Sequence, residues 1–419
     1  MMKRLKKLFA ALGPGFITGA SDDDPSGIAT YSQTGAMFGY SQLWTALFSF
    51  PFMTVIQEMC GRIGLVTGKG LSGVIRKYYS KPFLYAAVAI LLVANTVNIG
   101  ADLGAMASAT SMVTGIRFEA LLFFMTAATL LLEVFVSYTV YSKYLKYLAF
   151  SLLAYVVTVF VIRQDWGHIA WSTLVPHVVF TKGYILNLVA ILGTTISPYL
   201  FFWQADEEVE EEVAHHKIRA MGLGKPHVTK GDIRSMRWDT ALGMLFSNLI
   251  MMFIIITTAS TLNPLGIRNI DTATQAASAL RPVAGNFASL VFAIGIIGTG
   301  LLTVPILAGS ASYAIAEAFK WKVGLYRKFQ QAHGFYGIIS IATMLGLLIN
   351  FVHIPPFKML YYTAVLNGIC APPLLIFILL IANNKEIMGK YTNTWISNVL
   401  GILITLLMAV AAIFLFLTW

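Results

Sequence analysis

The chain has 419 residues, of which 57% are hydrophobic and 11% charged, with a mean hydropathy of +0.74. A soluble protein carries about 25% charged residues, so this composition excludes a soluble enzyme, a disordered chain and a nucleic-acid binder. The net charge of +10 therefore raises the question of which loops hold it. A bilayer core takes about 20 apolar residues per helix, which leaves room here for roughly ten to twelve spans.

Apolar runs of bilayer length, divided at Gly, Pro and charged residues, predict eleven helices. In chain order they lie near 9–38, 42–66, 83–113, 119–137, 143–162, 183–214, 236–259, 284–318, 334–352, 357–382 and 392–417. Lys3–Lys7 followed by Leu8–Ala20 has the look of a signal peptide. The Gly13-Pro14-Gly15 step and ten further spans favour a first transmembrane helix instead. With the N-terminus placed in the cytoplasm, 22 Lys and Arg fall on the inner side and six outside, with Arg62 at the inner end of the second span. That asymmetry predicts a multi-pass protein of the cell membrane, N-terminus in and C-terminus out. The positive charge then marks the cytoplasmic face, not a polyanion site. Cys60 and Cys370 sit in apolar stretches and imply no disulfide framework.

Two spans are interrupted. The first breaks at Ser21-Asp22-Asp23-Asp24-Pro25-Ser26-Gly27 and the sixth at Gly193-Thr194-Thr195-Ile196-Ser197-Pro198-Tyr199. Five spans separate them, so they run in opposite directions. Non-helical backbone at membrane depth survives only where protein buries it or it lines a watery cavity. Paired, Gly/Pro-interrupted helices in matching halves point to a transporter binding site built on inverted repeats. The repeats are 9–162 (helices one to five) and 183–382 (helices six to ten), with 392–417 appended as helix eleven in one transmembrane domain, 1–419. A proline kink, or an Asp24 N-cap before Pro25, explains the backbone alone. Three consecutive acids at mid-membrane are costly without compensation, and no Lys or Arg lies in the apolar part of any span. A bound cation is the simplest compensation. Carboxylate, hydroxyl and freed carbonyl oxygens from Ala20, Ser21 and Thr194 are hard ligands, suited to Mg²⁺, Ca²⁺, Mn²⁺ or Na⁺. The breaks hold no Cys, His or Met, which disfavours Cu⁺ and Zn²⁺.

Gly13-Pro14-Gly15-Phe16 with Asp24-Pro25-Ser26-Gly27 resembles the first helix of the Nramp family of divalent metal transporters. Arg62-Ile63-Gly64-Leu65-Val66-Thr67-Gly68-Lys69, Ser197-Pro198-Tyr199 and Met388-Gly389 are similar to family segments too. The resemblance spans essentially the whole chain. It implies an all-α polytopic membrane protein with a LeuT-like 5+5 inverted repeat plus an eleventh helix. It also implies that Asp24 is the metal-binding carboxylate. Gly27 stands where the family has a liganding Asn, and Ser197 where it has a Met. Tyr199 stands where it has a His, Ala105 where it commonly has a Glu, and Asn367 about where it has a Gln. Asp102 is retained. Fewer and smaller ligands imply a roomier site, and loss of the thioether removes a preference for softer ions. The pattern resembles the Nramp-related magnesium transporters, with Mn²⁺ also accepted and proton coupling thinned.

Other charged groups have two readings each. Asp206, Glu207, Glu208, Glu210, Glu211 and Glu212 form either a solvated helix end facing the basic 214–237 loop or an acidic lining of the inner vestibule. Gln204 is a candidate for the cavity wall. Asp102 is functional by position, or bonded structurally to Asn98 or Thr96. Glu58 is expected to pair with Arg62 at i,i+4, and Glu133 to behave likewise. Asp22 and Asp23 are further ligands or face the outer aqueous path.

The expectation is a secondary transporter, not an enzyme, moving Mg²⁺ or Mn²⁺ as substrate by alternating access, with the bilayer as its partner, no cofactor and no required oligomer. Its expected ligands are Asp24, Gly27, Thr194, Ser197, Ala20 and Ser21, with Asp22, Asp23, Asp102, Tyr199, Gln204, Asn367, Glu207 and Glu211 behind them or along the pathway. A sodium-coupled amino-acid or organic-solute symporter of the same fold is the rival reading. Three acids at the first break would repel a substrate carboxylate, which weighs against it.

Overall fold

The computed structural model describes residues 13–136, 152–352 and 354–418. The basic N-terminal run Lys3–Lys7, the loop lysines Lys143 and Lys146, and the first half of the expected fifth span lie outside the described residues.

The described chain is helical. Its principal helices are α1 (Pro14–Asp22), α2 (Pro25–Phe38), α3 (Trp44–Thr67), α4 (Leu71–Tyr78), α5 (Lys81–Thr114), α6 (Phe118–Phe135), α7 (Leu153–Val161) and α8 (Trp166–Leu174). There follow α9 (Lys182–Thr195), α10 (Pro198–Ala214), α11 (Lys230–Thr261), α12 (Ala288–Phe319), α13 (His333–Ile349), α14 (Pro356–Asn383) and α15 (Trp395–Thr418). Both expected interruptions are present: α1 and α2 part at Asp23–Asp24, and α9 and α10 part at Ile196–Ser197. Local chemistry sets the ends. Pro25 and Pro198 occupy first turns, where the missing N–H costs nothing. Gly68 closes α3 in the left-handed region at φ 63°. Thr229 and Asp232 cap α11 reciprocally.

Among the described residues, eight helical segments are long and apolar enough to cross a bilayer. The broken α9–α10 pair counts as one of them. The first broken helix and α3 do not qualify because they turn polar residues inward, among them Thr18, Ser21, Gln57, Glu58 and Arg62. The outer helices carry apolar residues on both faces, with Phe124, Phe135, Trp395 and Leu417 exposed. Such a surface suits lipid, which asks for no polar face.

The two broken helices occupy the middle. α1 and α2 pack on α11, α9 on α14, α10 on α3 and α12, and α5 on α12. Backbones touch where side chains are smallest. A Cβ on Gly19 would strike the Gly243 backbone, and one on Gly193 would strike Ala364 and Gly368. Membrane helices reach this close approach through small residues. The N-terminus of α1 is capped from α11, where the Asp239 carboxylate accepts N–H groups from Gly13, Gly15 and Phe16 at 2.8–3.2 Å.

At the end of the bundle that holds the basic loops, Arg62 is buried in α3. It pairs with Glu58 at 2.9 Å, as the i,i+4 spacing predicts. Its guanidinium also donates to Asn393 Oδ1 at 2.6 Å and to the Tyr391 carbonyl. Arg237 of α11 joins the same Glu58 oxygen at 2.8 Å. Glu133 departs from that pattern. It accepts a 3.4 Å bond from Thr343 of α13 rather than an i,i+4 base, because the residues one turn away offer none.

Candidate functional site

Asp24 is the N-cap of α2. Its Oδ1 accepts from Ser26 Oγ at 2.7 Å and from the Gly27 N–H at 2.6 Å. Its Oδ2 faces α5, where Asn98 Nδ2 donates at 3.1 Å. The capping and charge-bearing roles thus coexist: one oxygen ties down the helix start and the other faces the interior. Asn98 is therefore engaged with Asp24, not with Asp102. Asp102 lies one turn further along α5, and neither of its oxygens has a hydrogen-bond partner.

Asp22 and Asp23 do not face an aqueous path. Asp22, Asp23, Asp24 and Asp102 are each at most 1% exposed. Ser247 of α11 donates to Asp22 Oδ2 at 2.6 Å and lies 3.4 Å from Asp23 Oδ1, and the second oxygen of each carboxylate has no partner. Among the described residues the one buried base is Arg62, and it is engaged by Glu58.

The second break lies beside the first. Tyr199 donates its hydroxyl to the Ser21 carbonyl at 3.1 Å, and Thr303 of α12 approaches the same oxygen at 3.4 Å. Ala20 and Ser21 occupy the last turn of α1, where carbonyls lack intrahelical partners. Ser197 turns its hydroxyl proton to the preceding turn, which leaves the oxygen lone pairs open. It donates back to the Gly193 and Thr194 carbonyls at 2.8 and 2.7 Å. The Thr194 carbonyl keeps one lone pair for another donor or ion.

Gly27 has no side chain to act as a ligand, and the space it vacates is filled. A Cβ there would lie 3.1 Å from Thr194 Oγ1, 3.2 Å from the Asp22 carbonyl and 3.3 Å from Tyr31 Cε2. The expected widening is therefore not seen on this side, because Thr194 and Tyr31 close in. Among the described residues no three His, Cys, Asp or Glu side chains are grouped so as to hold a metal. The breaks gather carboxylate oxygens with neutral hydroxyl and carbonyl oxygens around them. Asn367 of α14 is buried with its Nδ2 unpartnered.

The acidic run of α10 differs most from a solvated helix end. Asp206, Glu208 and Glu212 are buried, Glu207 and Glu210 half-buried, and only Glu211 is exposed, paired with His215 at 3.0 Å. Gln204 donates to Glu208 at 3.0 Å and faces Gly61 of α3, away from the breaks. Beside this region, burial holds the Lys69 ammonium below its ordinary pKa, and its Nζ donates to the Gly222 carbonyl at 2.7 Å. Sequence reasoning missed Ser247, Thr303 and Asn98 as site-wall groups. All three are small polar residues within apolar helices, which was the available signal.

Two helices unwound side by side inside a bundle, with their polar backbone enclosed by protein, define a transporter fold rather than an enzyme. The chain belongs to the Nramp family: the family described as "Natural resistance-associated macrophage protein-like" matches residues 15–418. It is 24% identical to "Divalent metal cation transporter MntH" of Yersinia pestis (strain Pestoides F) over 96% of this chain and 94% of that protein. It is 25% identical to the protein of the same name from Caldanaerobacter subterraneus subsp. tengcongensis, over 96% and 91%. In fold it is similar to the Eremococcus coleocola manganese transporter, with a TM-score of 0.77, 15% identity and coverage of 97% and 86%. The nucleobase-cation-symport transporter Mhp1 is more distant, at a TM-score of 0.55, 14% identity and coverage of 98% and 93%. The expected family and the all-helical, LeuT-like architecture are both found.

Proposed function

We propose that this protein carries divalent cations, Mg²⁺ and Mn²⁺, across the cell membrane in the uptake direction by alternating access. The ion rests between the breaks. Asp24 supplies the principal charge through Oδ2, and the Ala20, Ser21 and Thr194 carbonyls supply neutral oxygens. Asp22, Asp23 and Asp102 hold the potential of the site negative. Movement of repeat 9–162 against repeat 183–382 exposes the ion to either side, with the N-terminus in the cytoplasm and the C-terminus outside. The observation that carries this reading is the buried Asp24 at the junction of two broken helices, with no buried base beside it among the described residues. Hard oxygens with no thioether or imidazole favour ions that keep part of their water. The names of the relatives, which include divalent metal and manganese transporters, support the substrate class.

Uptake of Mg²⁺ and Mn²⁺ into proteoliposomes, measured side by side for the wild type and Asp24→Asn, tests this. Entry of both ions, lost in the variant, is the expected result. Entry of Mn²⁺ alone would remove the hard-ion reading. Failure of both ions to enter would remove the metal reading and turn attention to organic solutes.

A further inference from the structure

Beyond the second break, α10 presents a stripe toward α12 at helical spacing. Tyr199 meets the Ser21 carbonyl beside Thr303. Trp203 packs edge-on against Tyr313 with ring centroids 6.2 Å apart. Further on, Glu210 accepts the Leu325 N–H at 2.6 Å and bonds the Tyr313 hydroxyl. Asp206 lies in the same stripe between Trp203 and Glu210. It is fully buried, and neither of its carboxylate oxygens has a hydrogen-bond partner.

Across the seam stands Glu317 of α12. Its two oxygens accept the N–H groups of Gly70 and Gly73, each at 2.8 Å, at the start of α4. Gly70 is what lets the two acids approach. A Cβ there would collide with Asp206 Oδ1 and lie 2.6 Å from Glu317 Oε2. Two carboxylates from different helices converge on one point that a glycine leaves open. The two nearby bases lend their charge to Glu317 but hydrogen-bond backbone carbonyls instead of either carboxylate. Arg76 donates to the Glu317 backbone carbonyl and Lys69 to the Gly222 carbonyl. Glu207 and Glu210 add negative charge on the α10 side.

We propose that Asp206 and Glu317 form a second divalent-cation site, separate from Asp24 and seven residues along α10 from Tyr199, roughly 10 Å at 1.5 Å per residue. A buried carboxylate with no hydrogen-bond partner, facing a second carboxylate, is strongly unfavourable unless a cation joins them. Two carboxylate ligands with water in the remaining positions is a usual way to hold Mg²⁺. An ion released from the breaks along the α10–α12 seam meets this pair next. The inference takes its ligand class from the proposed function, but its geometry is independent of Asp24.

The test counts Mn²⁺ bound to the full-length purified protein by electron paramagnetic resonance of the free ion. Two ions are expected per wild-type chain, one in Asp24→Asn, one in Asp206→Asn and none in the double variant. Asp206→Glu is expected to restore the second ion, and thermal unfolding of each variant checks that the fold survives. An Asp206→Asn protein that still binds two ions, or an Asp24→Asn protein that binds none, would overturn the second site. If Asp24→Asn keeps one ion and also keeps full uptake, the second site stands and the proposed function fails instead.

Discussion

The two breaks are built on one plan and filled with different chemistry. Each follows a helix whose last carbonyls are met by side-chain hydroxyls and precedes a helix that begins with proline. At the first, the N-cap is a carboxylate that points into its own helix and leaves an oxygen for the interior. At the second, the N-cap Ser197 makes no capping bond and turns back to cover the carbonyls of the preceding helix. The first break thus carries charge, and the second is largely self-satisfied. Two similar interruptions need not contribute equally to a site; the side chain at the cap decides which of them carries charge.

That asymmetry can be broken or sharpened by substitution. The largest effect is expected for Asp24→Asn, which keeps the cap but removes the charge. Uptake in proteoliposomes should fall to background while the melting temperature holds or rises, since a buried charge is lost. Retained uptake would place the ion elsewhere. Ser197→Met would bring a soft ligand to the neutral break. The ratio of Mn²⁺ to Mg²⁺ uptake should rise about tenfold, equivalent to ~1.4 kcal/mol, and an unchanged ratio would show that this cap does not face the ion. Tyr199→Phe removes the bond joining the breaks. It should lower stability by about 1 kcal/mol, read as a fall in melting temperature, because Thr303 still reaches the Ser21 oxygen. Ser197→Ala is expected to do least. Its cost is about 0.5–1 kcal/mol, with uptake within a few-fold of wild type. A loss as deep as that of Asp24→Asn would abolish the distinction between the breaks.

The breaks were legible in the sequence because Gly, Pro and charge interrupt an apolar run in only a few ways. The Glu58–Arg62 pair was legible because both partners lie on one helix. What lay beyond reach was supplied by distant segments. The acidic run of α10 reads as solvated until α12 and α4 are laid over it, bringing Glu317 and Gly70 from 111 and 136 residues away in the chain from Asp206. Asn98 looks like a neighbour of Asp102 along α5, yet it bonds Asp24 across the bundle. The loss of a side chain at Gly27 reads as added room, but the same position shows Thr194 and Tyr31 occupying that room. Composition records which atoms are missing, and only packing shows what replaces them.

The Arg62 cluster bears on how the chain is made. The guanidinium sits in the second span to be synthesised, and its partners Tyr391 and Asn393 lie 329 and 331 residues later, just before the last helix. Until the ribosome has nearly finished, Arg62 has Glu58 as its close companion within the same helix. A polypeptide stopped short of residue 391 would leave this buried guanidinium without the Tyr391 and Asn393 acceptors. The segment leading into the final helix thus completes the surroundings of an early one.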